Sequence, residues 1–268
     1  MTTDSCSLDA IAAWQSTRWL AHRGAGRLAP ENTLAAFRAG ARFGYTAFEC
    51  DVKLSSDGVA FLMHDATLDR TTGTTGIAGD RTWAELSTLD AGRWHSAPFE
   101  GESIPRLATI ARFCIDSGSL LNIEIKPTPG LEALTGARVA SEAARLWVGQ
   151  RRLPLLSSFS ADALAAAREA APRLPRALLL DTLTPGWFEQ ARALACKAVV
   201  ARHPLLDAAL IERAHAEGWL VLAYTVNDAA LADWLFKCGV DALITDAVDR
   251  LPPRQATGEI ESAPDQLR

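Results

Sequence analysis

Short apolar runs alternate with longer amphipathic stretches along almost the entire chain. The runs "WLAH", "AFECDVKL", "VAFLMH", "LLNIEI", "PLLSSF", "ALLL", "AVVA", "LVLAYTV" and "ALIT" read as strands. Between most of them apolar positions recur at helical spacing, as in "NTLAAFRAGARFG", "RLATIARFCIDSG", "ADALAAAREAA", "LIERAHAEG" and "DAALADWLFKCG". Several of these stretches stop at glycine, the usual helix terminator. Strands alternating with helices imply a parallel sheet. This many units in 268 residues imply a sheet closed into an α/β barrel of the (β/α)8 TIM type.

Nine candidate strands are one too many for that barrel. Only Ser55-Ser56-Asp57-Gly58 separates two of them, too few residues for a parallel crossover but enough for a hairpin. The run "VAFLMH" is therefore expected as an antiparallel return strand, leaving eight parallel strands in a distorted barrel. If Leu54 pairs with Val59, that register brings Glu49 opposite His64. Residues 65–104 are rich in threonine and glycine and fit no strand–helix unit; they read as a lid or small insertion beside the barrel mouth. No linker, repeat or low-complexity tract interrupts the rest, so a single domain over residues 1–268 is expected. The polar tail from Pro252 onward is expected to be loose.

Composition narrows the function. The chain is 49% apolar, enough for a large core, and carries a net charge of −5. Without a basic excess, an extended nucleic-acid surface is not expected, and an anionic ligand would need local cations or a metal. The start "MTTDSCSLDAIAAWQSTRW" has acidic residues and no basic segment before an apolar run, which argues against a secretory signal. No run reaches the roughly 18 consecutive apolar residues of a spanning helix, so no membrane insertion is expected. Five cysteines (Cys6, Cys50, Cys114, Cys196 and Cys238) are odd in number, scattered and without a CxxC pair. They read as reduced packing residues of a cytoplasmic protein. Oligomeric state has no signature in the sequence.

In a barrel of this type, reactive groups collect at the C-terminal ends of the strands. "FECDV" places Glu49 and Asp51 two apart, so both carboxylates point to one face of a strand. Inward-facing, they would repel unless a cation lay between them, and a hard divalent ion such as Mg²⁺ or Ca²⁺ takes carboxylate oxygens. The bland alternative is a pair of solvent-facing acids. "NIEIK" repeats the geometry with Glu124 and Lys126: either a simple ion pair, or a third carboxylate with a point charge for a phosphate. His22 and His64 each end a strand and each precede a polar residue. One such histidine is most often a hydrogen-bonded core group. Two at one mouth, with three carboxylates and two cations, are better explained as a general acid and base. His95, His203 and His215 are weaker candidates.

Taken in order, "HRG…PENT…ECDV…HD…EIK…YTVN…ITD" resembles the glycerophosphodiester phosphodiesterase family of the bacterial cytosolic type, from about Ala21 to Asp246. "DGVAFLMHDATLDRTTGTTG" and "SSF" at 157–159 fit as well. The resemblance implies a divalent metal, Mg²⁺ or Ca²⁺, on Glu49, Asp51 and Glu124, with His22 and His64 as the acid–base pair. It puts Arg23 and Lys126 on the phosphate of a small-molecule glycerophosphodiester, with Glu31 and Asn32 bracing the mouth. Gly24 and Gly26 then let the backbone come close without a Cβ. Two departures stand out. Tyr224 replaces the family's usual tryptophan as the aromatic wall over the glycerol, and "TDAVDR" lacks the usual proline. The competing readings are a phospholipase D of the sphingomyelinase type and a non-catalytic binding barrel.

Overall fold

The computed structural model describes residues 11–251 and 253. Cys6, the first ten residues and all of the tail beyond Pro253 lie outside the described residues, as does Pro252. The strands are β1 (Trp19–Ala21), β2 (Ala47–Leu54), β3 (Ala60–Leu62), β4 (Leu120–Ile125), β5 (Leu155–Ser158), β6 (Arg176–Leu180), β7 (Ala198–Arg202), β8 (Leu220–Tyr224) and β9 (Ala242–Thr245). Eight of them pair in parallel in the order β1-β9-β8-β7-β6-β5-β4-β2, and a β1–β2 pairing closes the ring. Helices connect the strands, the longest being Glu132–Leu146. This is a closed (β/α)8 barrel.

Side-chain alternation divides the core into two shells. One face of each strand turns outward under the helices, as with Phe48, Cys50 and Val52 on β2, which join a cluster with Phe37, Ile110 and Val139. The other face turns inward. Leu20, Ala47, Leu120, Leu155, Val200, Leu222 and Ile244 form a separate apolar plug inside the barrel. Both faces are buried, so these strands are nearly continuous in apolar residues, as fully covered parallel strands must be.

β3 runs antiparallel against the upper half of β2, with Val52 opposite Leu62 and Leu54 opposite Ala60. The reason lies in β1, which is three residues long and pairs with β2 only at Phe48. Above that point the β2 edge would be unpaired, and β3 covers it. The register corrects the expectation by one residue: Leu54 faces Ala60, not Val59. The Ser55 N–H donates to the Val59 carbonyl at 3.0 Å, and Ser55 Oγ accepts from the Val59 N–H at 2.9 Å. Val59 is thereby held in the loop. Met63 N–H donates to the Asp51 carbonyl, so His64 is not opposite Glu49. Residues 65–104 hold short helical turns at Asp69–Thr72, Ala78–Asp80, Trp83–Leu86 and Ala97–Phe99, and Phe61, Met63, Leu68, Leu86 and Ile104 form a small core there.

Candidate active site

The inward positions change character as they climb. On β2 they read Ala47, Glu49, Asp51; on β4, Leu120, Asn122, Glu124, followed by Lys126. On the far side of the ring they stay apolar up to Leu179 and Ile244. The barrel therefore presents a polar quadrant over an apolar floor at its C-terminal end. A cavity of about 170 Å³ opens there, lined by His22, Arg23, Glu49, His64, Glu124, Lys126 and Tyr224, with Asn122 and Phe159. Asp51, 1% exposed, packs beneath its wall. The eight residues expected to act as acid–base, metal or substrate groups thus meet at one mouth. A larger cavity, about 780 Å³, lies at the opposite end of the barrel around Trp19, Phe236 and Lys237. None of Glu49, Asp51 and Glu124 lines it, so chemistry rather than size selects the smaller one.

Each histidine is held by a carboxylate. His22 follows β1 in a 3-10 turn, and its Nδ1 lies 2.6 Å from Asp246 Oδ1, beyond the end of β9. Its Nε2 stands 3.7 Å from Glu49 Oε2. Asp246 in turn accepts a hydrogen bond from Asn227 Nδ2. His64 Nδ1 lies 2.8 Å from Asp65 Oδ1. With Nδ1–H donating to a carboxylate, each ring keeps Nε2 free for other chemistry. Their environments differ in sign. Burial lowers the pKa of His22, but Asp246 and then Glu49 outweigh it and the net shift is upward. For His64 burial prevails over the pull of Asp51, and the shift is downward.

The cations are tied to the acids. Arg23 sits at φ +50, an uncommon backbone region for a side chain of its size. That turn aims its backbone N–H at Glu49 Oε2 (3.1 Å) and its Nη1 at Glu31 Oε1 (2.8 Å), with Nε 3.3 Å from Asp51 Oδ2. Lys126 Nζ donates to Glu124 Oε1 at 2.9 Å and lies 3.5 Å from Asp51 Oδ1. Asn32 donates from Nδ2 to Asp51 Oδ2, and its Oδ1 accepts from the Asp51 N–H.

Glu49, Asp51 and Glu124 offer oxygens within 4.8 Å of one another. Burial first, and the neighbouring Asp51 second, push Glu49 up to about 8 and Glu124 up to about 6. Asp51 stays below the usual carboxylate range despite burial, because Arg23 and Lys126 flank it. Beside them Asn122 Oδ1 is buried with no hydrogen-bond partner. Three crowded carboxylates and an orphan amide oxygen are a donor set suited to a hard divalent cation. The residues fit the metal.

Sequence reasoning gives Asn122 no role, and it includes Asp65 in "HD" and Asp246 in "ITD" without pairing either with a histidine. Asn122 shares the inward face of Glu124, so strand alternation could have found it. Asp246 is 224 residues from His22 in the chain, and only barrel closure brings them together. Lys53, also buried on the face of Glu49 and Asp51, was likewise unmarked. His95 instead bonds the Arg27 carbonyl and Ser96, and His215 bonds Asp241.

A closed α/β barrel with acids, cations and oriented histidines at its C-terminal mouth defines a class of hydrolase built for anionic substrates. Comparison with known proteins carries this further. The sequence model of the glycerophosphoryl diester phosphodiesterase family matches residues 22–250, and the chain belongs to this family of hydrolases. A glycerophosphodiester phosphodiesterase of Caldanaerobacter subterraneus subsp. tengcongensis is 33% identical over 87% of this chain and 95% of its own length. An Oleispira antarctica phosphodiesterase, solved in complex with the product sn-glycerol-3-phosphate, superposes with a TM-score of 0.81 at 33% identity, covering 87% of this chain and 94% of that one. A glycerophosphodiester phosphodiesterase structure from Agrobacterium tumefaciens gives a TM-score of 0.73 at 28% identity, with 87% and 97% covered.

Proposed function

We propose that this chain hydrolyses glycerophosphodiesters to glycerol 3-phosphate and an alcohol, with a divalent metal, Mg²⁺ or Ca²⁺, and with His22 and His64 as general acid and base. One observation carries the reading: two histidines gripped by carboxylates face one cavity with three crowded acids and two cations. The product named for the Oleispira structure agrees with it.

A phosphodiester monoanion repels a nucleophile and expels an alkoxide poorly. A cation held by Glu49, Asp51 and Glu124 would neutralise charge on the phosphate oxygens. Arg23 and Lys126 add to that from the cavity wall. One histidine, through Nε2, takes a proton from the attacking oxygen, that of water or of the substrate's own glycerol hydroxyl. The other gives a proton to the departing alcohol. Asp246 and Asp65 hold the two rings in the tautomer this requires. Tyr224, anchored by its hydroxyl donating to the Leu180 carbonyl at 3.2 Å, forms an aromatic wall with Phe159. Residues 1–268 would act as one phosphodiesterase domain, with 65–104 as a lid-like insertion. The described cysteines are free thiols, and no described helix is long and apolar enough to cross a membrane; a reducing, cytoplasmic setting suits both.

The test is release of glycerol 3-phosphate from glycerophosphocholine with Mg²⁺, with Ca²⁺ and with EDTA, alongside His22→Ala. Turnover should need metal and fall about 10²- to 10⁴-fold in the variant, which should stay folded. Near-normal turnover by His22→Ala would refute the assignment, and turnover of lysophospholipids alone would favour a lipid phosphodiesterase.

A further inference from the structure

We propose that Arg70, a residue of the insertion, is the positioning residue that sets both His64 and Arg23 for reaction. The proposal rests on the phosphodiesterase reading above, in which those two side chains act on the substrate. Arg70 itself lines no part of the cavity. Its guanidinium forks onto two carboxylates at once. Nε and Nη2 donate to Asp65 at 2.7 and 3.0 Å, and Nη1 and Nη2 donate to Glu31 at 2.6 and 2.7 Å. Each carboxylate then holds a residue of the mouth. Asp65 Oδ1 bonds His64 Nδ1 at 2.8 Å, and Glu31 Oε1 accepts from Arg23 Nη1 at 2.8 Å. One planar group thus fixes two chains of contact that end on opposite functions, proton transfer and phosphate binding.

The geometry needs arginine. A lysine keeps the charge but has no rigid fork that could engage two carboxylates edge-on. The backbone beneath is also fixed: Arg70 lies in the turn Asp69–Thr72, between buried Leu68 and buried Thr71. The Arg70 side chain is 42% exposed, and exposed ion pairs contribute little to global stability. Its effect should therefore fall on orientation. Without it, Asp65 and Glu31 are free to turn toward water, and the His64 ring loses the contact that fixes its tautomer. Hydrogen bonds from Arg70 are also the first cause holding Asp65 well below the usual carboxylate range.

The experiment compares Arg70→Gln and Arg70→Lys with the unaltered chain on glycerophosphocholine in saturating Mg²⁺. Alongside it, we would record thermal melts, Mg²⁺ affinity by calorimetry, and the ¹⁵N shifts of the His64 ring. Both variants should lose about 10- to 100-fold in kcat, the range seen when a group orienting a functional residue is removed. Mg²⁺ affinity should be kept and Tm should move by no more than about 3 °C. The His64 Nδ1 and Nε2 shifts, distinct in the unaltered chain, should converge as the tautomer bias is lost. Full activity in Arg70→Lys would overturn the proposal, since charge alone would then suffice. So would a loss of activity that tracks a loss of fold or of metal affinity. If the unaltered chain turns over no glycerophosphodiester, the functional reading fails on its own, and the His64 ring shifts still decide whether Arg70 positions it.

Discussion

Gly26 sits at φ +57, and a Cβ there would fall 2.2 Å from both the Cα and the carbonyl oxygen of Asp246. Arg27 N–H donates to that same carbonyl at 3.3 Å. The glycine after "HRGA" therefore lets the loop lie flat on the backbone of the residue that grips His22; the close approach it permits is to the protein's own chain. Gly44 offers a control, since it has φ +84 but nothing within 4 Å of a Cβ. Gly26→Ala must push the loop off Asp246, and we expect it to lower kcat by about tenfold or more as His22 shifts. Gly44→Ala should cost only its backbone strain, about 1 kcal/mol, and leave kcat intact. Steady-state rates and melts of the two variants check this; equal losses of activity would show that left-handed backbone strain, not the Asp246 contact, is responsible.

At the level of whole elements, the helices Glu132–Leu146 and Ala161–Ala170 pack closely against each other in the outer shell. Gly136 makes it possible, because a Cβ there would stand 2.0 Å from the Ala163 carbonyl oxygen. A glycine inside a helix costs helix propensity; here it allows backbone to meet backbone. Gly136→Ala should force the helices apart and destabilise the chain by about 1–3 kcal/mol, read as a lowered Tm. An unchanged Tm would mean the helices separate freely. Sequence alone had a better grip on some elements than on others. "AFECDVKL", "LLNIEI" and "ALIT" coincide with β2, β4 and β9 because their helix-facing positions, such as Phe48, Cys50, Val52, Leu121, Ile123 and Leu243, are apolar and buried, while on β2 and β4 the inward positions near the mouth turn polar. The β2–β3 register was off by one because a loop of Ser55 to Val59 depends on a serine side chain, not on the apolar pattern. Glu49 and Asp51 could be read from strand alternation; the pairings His22–Asp246 and Arg70–Glu31 join distant segments and leave no local trace.

Across the whole molecule, the acidic triad links pH to stability and, on the function proposed above, links both to the metal. Unfolded, Glu49 would titrate near its ordinary value of 4.5; folded and without metal it is pushed up to about 8, by burial and then by Asp51. Between those values the folded chain holds a proton that the unfolded chain has lost. Its contribution to stability is thus fully present below about 4.5 and is lost as pH rises toward 8. Glu124, pushed up to about 6, acts in the same direction over a narrower window, as does His22; His64, shifted downward, opposes them. A divalent cation needs the carboxylates ionised and releases their protons on binding. The stabilisation it brings should grow over the same interval in which the metal-free chain weakens. We expect the rise in Tm from saturating Mg²⁺ or Ca²⁺, relative to EDTA, to be larger at pH 8 than at pH 6. Glu124→Gln removes one of the three carboxylates proposed to hold the metal, so it should shrink that rise at both pH values and flatten its pH dependence. Melts of both proteins at pH 6, 7 and 8 measure this directly. A metal-induced shift that is the same at pH 6 and pH 8, or one that Glu124→Gln leaves untouched, would separate the triad from the metal and leave the crowded carboxylates with no cation to explain them.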